Sequence, residues 1–267
     1  MTRVLSLVLA VAATGSAPPA PRIVSMNPCI DAVLMRVADP RQIAGISHYS
    51  QDPRASSVPL AWARRFRATS GTAEEVVALR PDIVLSGPHV EPATIAALRR
   101  MRIRLVQYNV PESVAESVAQ VRAISAATGN SAGGEALAAR IEAAARPVAG
   151  PQVPALIWQG GGLVPGAGTL PDELLRRAGF RNMSAAYGLK KWDVLPMEYL
   201  IARPPRVLLS TSATQAGEER LMSHPAIRRL AARITVAPYA TRLMNCGGPT
   251  IVEAMARLAE VRRGVAR

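Results

Sequence analysis

Phenylalanine and lysine are scarce in this sequence, and so are long hydrophobic runs. Phe66 and Phe180 are the only phenylalanines in 267 residues, and 4% of the residues are aromatic. The hydrophobic cores are therefore expected to be aliphatic, and an aromatic side chain in a polar loop becomes a more informative candidate for ligand contact.

A hydrophobic run long enough to span a bilayer is missing as well, since a spanning helix needs about 20 apolar residues. The longest run, from Val4 to Ala13, is shorter, and it follows Arg3 and precedes small residues and prolines. This pattern predicts a cleaved signal peptide with a short linker over residues 1–21, and hence export to the periplasm. The junction lacks a cysteine, so we expect no lipid anchor. A buried first element or an uncleaved anchor is the alternative.

Negative charge is outnumbered, because the formal net charge is +13 and Lys190 and Lys191 are the only lysines. A basic, arginine-rich chain can bind nucleic acid or an anionic surface. Here the arginines are scattered along predicted helices without interleaved aromatic residues. We therefore expect no nucleic-acid partner.

The predicted fold class is α/β, because short apolar runs alternate with helical patterns from residue 22 onward. We predict an N-terminal α/β lobe over 22–129, a connecting helix over 130–150 and a C-terminal α/β lobe over 151–267. Gly129 is expected to end the preceding helix. The predicted architecture is two lobes with mainly parallel sheets, joined by a single long helix, with a ligand cleft between them.

An internal repeat supports two similar halves. Residues 74–86 align without a gap with residues 198–210, so that Glu74 matches Glu198 and Pro81 matches Pro205. Each segment reads as a helix ended by proline and followed by a parallel strand. Chance recurrence of this arrangement in an α/β protein is the alternative. A favourable interaction with the helix dipole is an alternative reason for a glutamate in the first turn of either helix.

Ligands in open α/β sheets bind beyond the carboxyl ends of the strands. Tryptophan and tyrosine there offer flat apolar area with a polar group, which suits a macrocycle. For each candidate, a local role in anchoring its loop is the alternative. His48 and His89 are also candidate axial metal ligands. The predicted ligand-binding residues are Asn27, Cys29, Tyr49, Trp62, His89, Gln159, Trp192, Tyr239 and Arg242.

Cys29 and Cys246 both fall in predicted cleft-side loops, one in each lobe. In an oxidising compartment an even number of cysteines permits a disulfide. Two free thiols that contact a soft metal are the alternative. The sequence leaves both open.

The chain resembles the cobalamin and iron-siderophore class of periplasmic binding proteins, and most of all their vitamin B12-binding group. The resemblance covers nearly the whole chain after the signal segment. It depends on four stretches, at residues 22–28, 74–84, 172–182 and 198–205.

The resemblance implies capture of a metal chelate, with a cobalamin-type corrinoid first and a ferric siderophore or heme next. It also implies delivery to the permease of an ABC importer, with Glu74 and Glu198 docking the two lobes onto basic residues of the transporter. The protein is then expected to be a monomer and not an enzyme, with no metal site or cofactor of its own.

An exported α/β enzyme acting on a small polar substrate through the glycine-rich loop Gly160–Thr169 is the main alternative. That loop lacks the ending of a phosphate-binding loop, and the sequence offers neither a nucleophile elbow nor a metal-ligand cluster. An exported scaffold that has lost its ligand is a third hypothesis.

Overall fold

The computed structural model describes residues 20–211, 225, 229–230 and 233–265. Most of the predicted signal segment and a helix predicted at Glu218–His224 therefore lie outside the described residues. None of the described helices combines the length and apolar character needed to cross a membrane.

The N-terminal lobe is built on a parallel sheet with the strand order β3-β2-β1-β4-β5. Its strands are β1 (Ile23–Ser25), β2 (Ile43–Ser47), β3 (Ala68–Thr69), β4 (Ile83–Ser86) and β5 (Arg104–Gln107). Its helices are α1 (Pro28–Val37), α2 (Leu60–Ala63), α3 (Ala73–Ala78) and α4 (Pro92–Arg100).

Helix α1 begins directly after β1 for local reasons. The Asn27 side chain accepts hydrogen bonds from the backbone N–H groups of Cys29 and Ile30, at 2.8 and 3.3 Å. Pro28 follows at the first helical position, where its missing N–H removes no helical bond. The carboxyl end of β1 is thereby fixed to the start of α1.

Two helices, α5 (Val114–Thr128) and α6 (Ser131–Ala144), lie between the two sheets. Gly129 adopts a φ of 78°, which reverses the chain, so α6 runs back along α5. Arg122 of α5 accordingly pairs with Glu135 and Glu142 of α6. The predicted connecting helix over 130–150 corresponds to α6, which packs antiparallel to α5 in a helical hairpin.

The C-terminal lobe has a parallel sheet in the order β11-β10-β6-β8 and a small antiparallel pair, β7 and β9. Its strands are β6 (Val153–Trp158), β7 (Leu163–Pro165), β8 (Phe180–Asn182), β9 (Trp192–Val194), β10 (Val207–Ser210) and β11 (Thr235–Pro238). Its described helices are α7 (Leu170–Arg177), α8 (Met183–Ala186), α9 (Met197–Ala202), α10 (Arg242–Asn245) and α11 (Thr250–Val265).

The predicted repeat is present in the fold. Helices α3 and α9 begin and end at matching positions of the aligned segments, and so do β4 and β10. The order β2-β1-β4-β5 in the first sheet corresponds to β8-β6-β10-β11 in the second. The two lobes are thus two copies of one topology, as the sequence predicted.

One continuous apolar cluster joins the lobes. It includes Ile23 and Ile157 of the two sheets together with Val121 of α5, Ile141 of α6 and Leu258 of α11. Because these side chains are buried, the helical layer behind the sheets holds both lobes together.

Candidate functional site

A disulfide between Cys29 and Cys246 connects the two lobes. Cys29 follows the carboxyl end of β1, and Cys246 follows α10, beyond the carboxyl end of β11. The two Cα atoms are 5.1 Å apart, although 217 residues separate them in sequence. At this point the strand ends of the two sheets therefore face each other, which is the arrangement expected of a cleft.

A narrow groove beside this disulfide is lined by both lobes and has a cavity volume of about 30 Å³. That is far smaller than small-molecule sites, which span about 300–1,000 Å³, so the two lobes nearly touch at this point. Its walls are formed by Asn27, Cys29, Ile30, Gly87, Pro88, Tyr108, Asn109, Val110, Pro111, Gln120, Asn245 and Gly247. Of the predicted ligand-binding residues, Asn27 and Cys29 lie here.

A wider groove, with a cavity volume of about 300 Å³, separates the N-terminal loop 53–60 from α10 and α11. Arg242 lies in this groove and forms an ion pair with Glu253. Its charge is therefore already partly neutralised before any ligand arrives.

His48 and Tyr49 follow β2 in a 3-10 turn that spans His48–Gln51. Tyr49 is 52% exposed, and its ring centroid lies 4.0 Å from that of His48. The Nδ1 atom of His48 lies 3.1 Å from the carbonyl oxygen of Thr69. His48 and Tyr49 thus form an exposed aromatic surface where β2 ends, on a turn that hydrogen bonds hold in place.

A buried carboxylate, Asp31 of α1, anchors that turn from below. Its Oδ2 accepts hydrogen bonds from the Ser50 hydroxyl at 2.6 Å and from the Ser47 N–H at 3.1 Å. Burial raises the pKa of Asp31 to about 7, while the hydrogen bonds from Ser50 and Ser47 act in the opposite direction. Burial prevails, so the charge of this group changes near neutral pH.

Trp192 lies on β9, where it is 39% exposed. The β7–β9 pair sits at the carboxyl end of the C-terminal sheet, because Asn182 at the end of β8 donates a hydrogen bond to Pro165 O at 2.9 Å. Next to Trp192, Lys191 forms an ion pair with Glu112, in the segment that leads into α5. Trp192 therefore lies close to a contact that ties the β7–β9 pair to the helical layer.

Two of the predicted ligand-binding aromatics pack in or against the apolar core. Tyr239 is 1% exposed and belongs to the apolar core, so the prediction that it contacts ligand is wrong for this conformation. Its N–H continues the sheet by bonding to Ser210 O at 2.9 Å, and its ring points inward. Trp62 is half-buried, packs on the core and lies 4.7 Å from the ring of Phe66. Its contact with ligand stays a prediction.

The remaining predicted positions lie on strand-end loops. Gln159 is half-buried after β6, and its N–H bonds to Leu163 O at 2.9 Å. The glycine loop is a tight turn at this point, with φ values of 76° at Gly161 and 87° at Gly162. His89 is exposed after β4. Among the described residues, no cluster of His, Cys, Asp and Glu is arranged to hold a metal ion.

Glu74 and Glu198 are exposed in the first turns of α3 and α9. The neighbouring Glu75 is occupied locally, since it accepts a hydrogen bond from Ser70 N at 2.6 Å. The repeat thus presents one outward carboxylate from each lobe.

Sequence reasoning missed Tyr108, Ser57 and Asp31. Tyr108 directly follows β5, so the strand-end rule that selects the other candidates applies to it as well. Asp31 carried a recognisable signal, namely a carboxylate within an otherwise apolar helical stretch. Ser57, whose hydroxyl lies 3.2 Å from the Cys246 sulfur, had no local signal.

A family model described as a periplasmic binding protein matches residues 23–235. No curated protein sequence is a significant match to the chain. The structural comparisons show that the fold is shared. The sequence identities are too low to support a conclusion about ligand or function.

Three solved structures illustrate that fold. The periplasmic heme-binding protein RhuT from Roseiflexus sp. RS-1 is 21% identical, with a TM-score of 0.70, 93% of this chain covered and 100% of that one. The periplasmic heme-binding protein HutB of Vibrio cholerae is 18% identical, with a TM-score of 0.73 and coverages of 90% and 98%. The periplasmic vitamin B12-binding protein BtuF of Vibrio cholerae is 17% identical, with a TM-score of 0.68 and coverages of 93% and 99%.

Proposed function

Because this chain belongs to the periplasmic binding protein family, we propose that it captures a metal chelate between its lobes and delivers it to an ABC importer. The observation that carries the proposal is the Cys29–Cys246 disulfide, since it joins loops beyond the strand ends of two parallel sheets. Strand ends that face each other across a gap provide two walls for one ligand. Export to the periplasm through the predicted signal segment is part of the same proposal.

A planar tetrapyrrole chelate, either a corrinoid or heme, is the ligand class that we favour. Tyr49 offers exposed ring area beside His48, and Trp192 offers a second exposed aromatic on the other lobe. Aromatic faces of this kind pack against a macrocycle. Similar folds belong to proteins described as heme-binding and vitamin B12-binding, which supports the same class.

A ferric siderophore is less well supported by the arginines. Binding an anionic chelate requires cationic side chains that are free to bind it. Arg242, the arginine predicted for the cleft, is already paired with Glu253. We therefore rank the siderophore below the two tetrapyrroles.

Delivery is proposed to use Glu74 and Glu198 as the docking carboxylates. Both are exposed in equivalent helices of the two lobes, so a transporter with two similar halves can meet one on each side. Opposite charges on the permease would guide and orient the encounter.

Absorption titration of the purified protein with hemin, cyanocobalamin and one ferric hydroxamate siderophore tests the ligand class. We expect saturable binding of one tetrapyrrole and a loss of about tenfold in affinity for Tyr49→Ala, because the exposed ring is removed. Tyr199→Ala is the matched control, since Tyr199 is similarly exposed, at 46%, on α9. Failure of all three chelates to bind would refute the proposed function.

A further inference from the structure

We propose that the Cys29–Cys246 disulfide is a redox-sensitive clamp that limits how far the lobes separate and thereby regulates ligand entry and release. The part that concerns ligand rests on the proposed function. The mechanical part depends only on the geometry of the fold.

The bond lies where it can restrain opening. Cys29 is the second residue of α1 in the N-terminal lobe, and Cys246 directly follows α10 in the C-terminal lobe. Their Cα atoms are held 5.1 Å apart. Any rotation that would move these two loops away from each other is opposed by a covalent link.

Without the bond, the lobes are still joined by the helical layer. The apolar cluster runs through Val121, Ile141 and Leu258, behind the sheets. Next to the bond, the N-terminal loop before α2 approaches Cys246 through the Ser57 hydroxyl, a polar contact of 3.2 Å. Reduction is therefore expected to leave a hinge at the helices and to free the loops at the strand ends.

One sulfur is more accessible than the other. Cys29 is half-buried and lines the narrow groove, whereas Cys246 is 4% exposed. Cys29 is therefore the sulfur that a reductant in solvent reaches first. Ser57 lies beside the buried sulfur, where its hydroxyl can donate to a thiolate at Cys246.

The reductant required is a protein or small molecule that carries two thiols. Its first thiolate attacks the Cys29 sulfur, the sulfur–sulfur bond breaks, and Cys246 leaves as a thiolate that then takes up a proton. The second thiol of the reductant displaces Cys29 from the mixed disulfide. Two electrons and two protons pass to the clamp, and the reductant is left as a disulfide.

Small-angle scattering of the ligand-free protein tests the mechanical part. The samples are the oxidised wild type, the wild type reduced with dithiothreitol, and Cys29→Ser/Cys246→Ser with and without dithiothreitol, with thiols counted in each. We expect a larger radius of gyration for the reduced wild type and for the double variant, and no response of the double variant to dithiothreitol. Equal radii for oxidised and reduced protein would overturn the clamp. Loss of the circular dichroism signal on reduction would overturn it too, because the bond would then be needed for folding.

Stopped-flow release of bound hemin or cyanocobalamin tests the regulatory part. We expect dissociation from the double variant to be faster than from the oxidised wild type by about threefold or more, since changes at one interface act mainly on dissociation. Equal rates would overturn the regulation. If neither probe binds either form, the proposed function fails, and the scattering result still decides the clamp.

Discussion

The hydroxyl of Ser50 donates a 2.6 Å hydrogen bond to the buried carboxylate of Asp31. This contact ties α1, which carries Cys29, to the turn that carries His48 and Tyr49. The buried Asp31–Ser50 hydrogen bond therefore helps to position both Cys29 of the proposed clamp and the exposed His48–Tyr49 pair.

Asp31→Asn is expected to change how stability depends on pH. The pKa of Asp31 is raised from 3.8 to about 7 by burial, so the folded state favours the protonated acid. The stability that this group contributes is complete below about pH 4 and is lost as the pH rises through 7. Urea unfolding at pH 5 and pH 8 should therefore show a larger loss for the wild type than for Asp31→Asn.

Asp52→Asn is the control for that experiment. Hydrogen bonds from Arg54 lower the pKa of Asp52, so the stability that it contributes is complete above about pH 4 and is the same at pH 5 and pH 8. Asp52→Asn should therefore keep the wild-type difference between the two pH values. A wild-type pH profile that Asp31→Asn leaves unchanged would show that Asp31 does not titrate as described.

Ser50→Ala should weaken ligand binding by loosening the turn below Tyr49. It removes one hydrogen bond to a buried carboxylate, which typically costs about 1–3 kcal/mol of stability. We expect a loss of affinity smaller than that of Tyr49→Ala in the same absorption titration. Ser131→Ala is the control, since Ser131 is exposed at the start of α6. Unchanged affinity in Ser50→Ala would mean that the turn keeps its position without Asp31.

Glu74→Ala/Glu198→Ala should abolish uptake of the ligand while leaving binding intact. Both carboxylates are exposed and lie outside the grooves between the lobes. Ligand uptake by cells of the native host and titration of the purified variant separate the two effects. Glu142→Ala/Glu260→Ala removes the same charge from other exposed positions and should leave uptake normal. Normal uptake by the Glu74/Glu198 variant would exclude the docking role.

Gly129→Ala tests the chain reversal between α5 and α6. At a φ of 78° a side chain is strained, even though an added Cβ would meet nothing within 4 Å. We expect a loss of about 1 kcal/mol in the free energy of unfolding. Gly264→Ala is matched, because its Cβ also meets open space but its φ is not positive and it lies within α11. It should stabilise the protein slightly, and a gain for Gly129→Ala would contradict the assigned turn.

The sequence predicted most of the fold, because its signals act over short distances. The repeated helix–proline–strand segments gave α3, β4, α9 and β10, since apolar periodicity and proline act within a few residues. Gly129 was expected to end a helix, and it does so.

The candidate site was only partly predictable. The strand-end rule located the loops of Asn27 and Tyr49, because the carboxyl ends of parallel strands share one edge. The rule does not say in which direction a side chain points. It therefore places Tyr239 at the cleft, although the ring of Tyr239 is buried in the core.

By itself, the sequence determined two similar α/β lobes and the outward carboxylates Glu74 and Glu198. Tertiary structure alone decided that α6 folds back on α5, that Tyr239 is buried and that Cys29 meets Cys246 across 217 residues. The physical reason is range: helix caps, periodicity and turns are set by neighbours in sequence. A contact between distant residues depends on how the whole core packs.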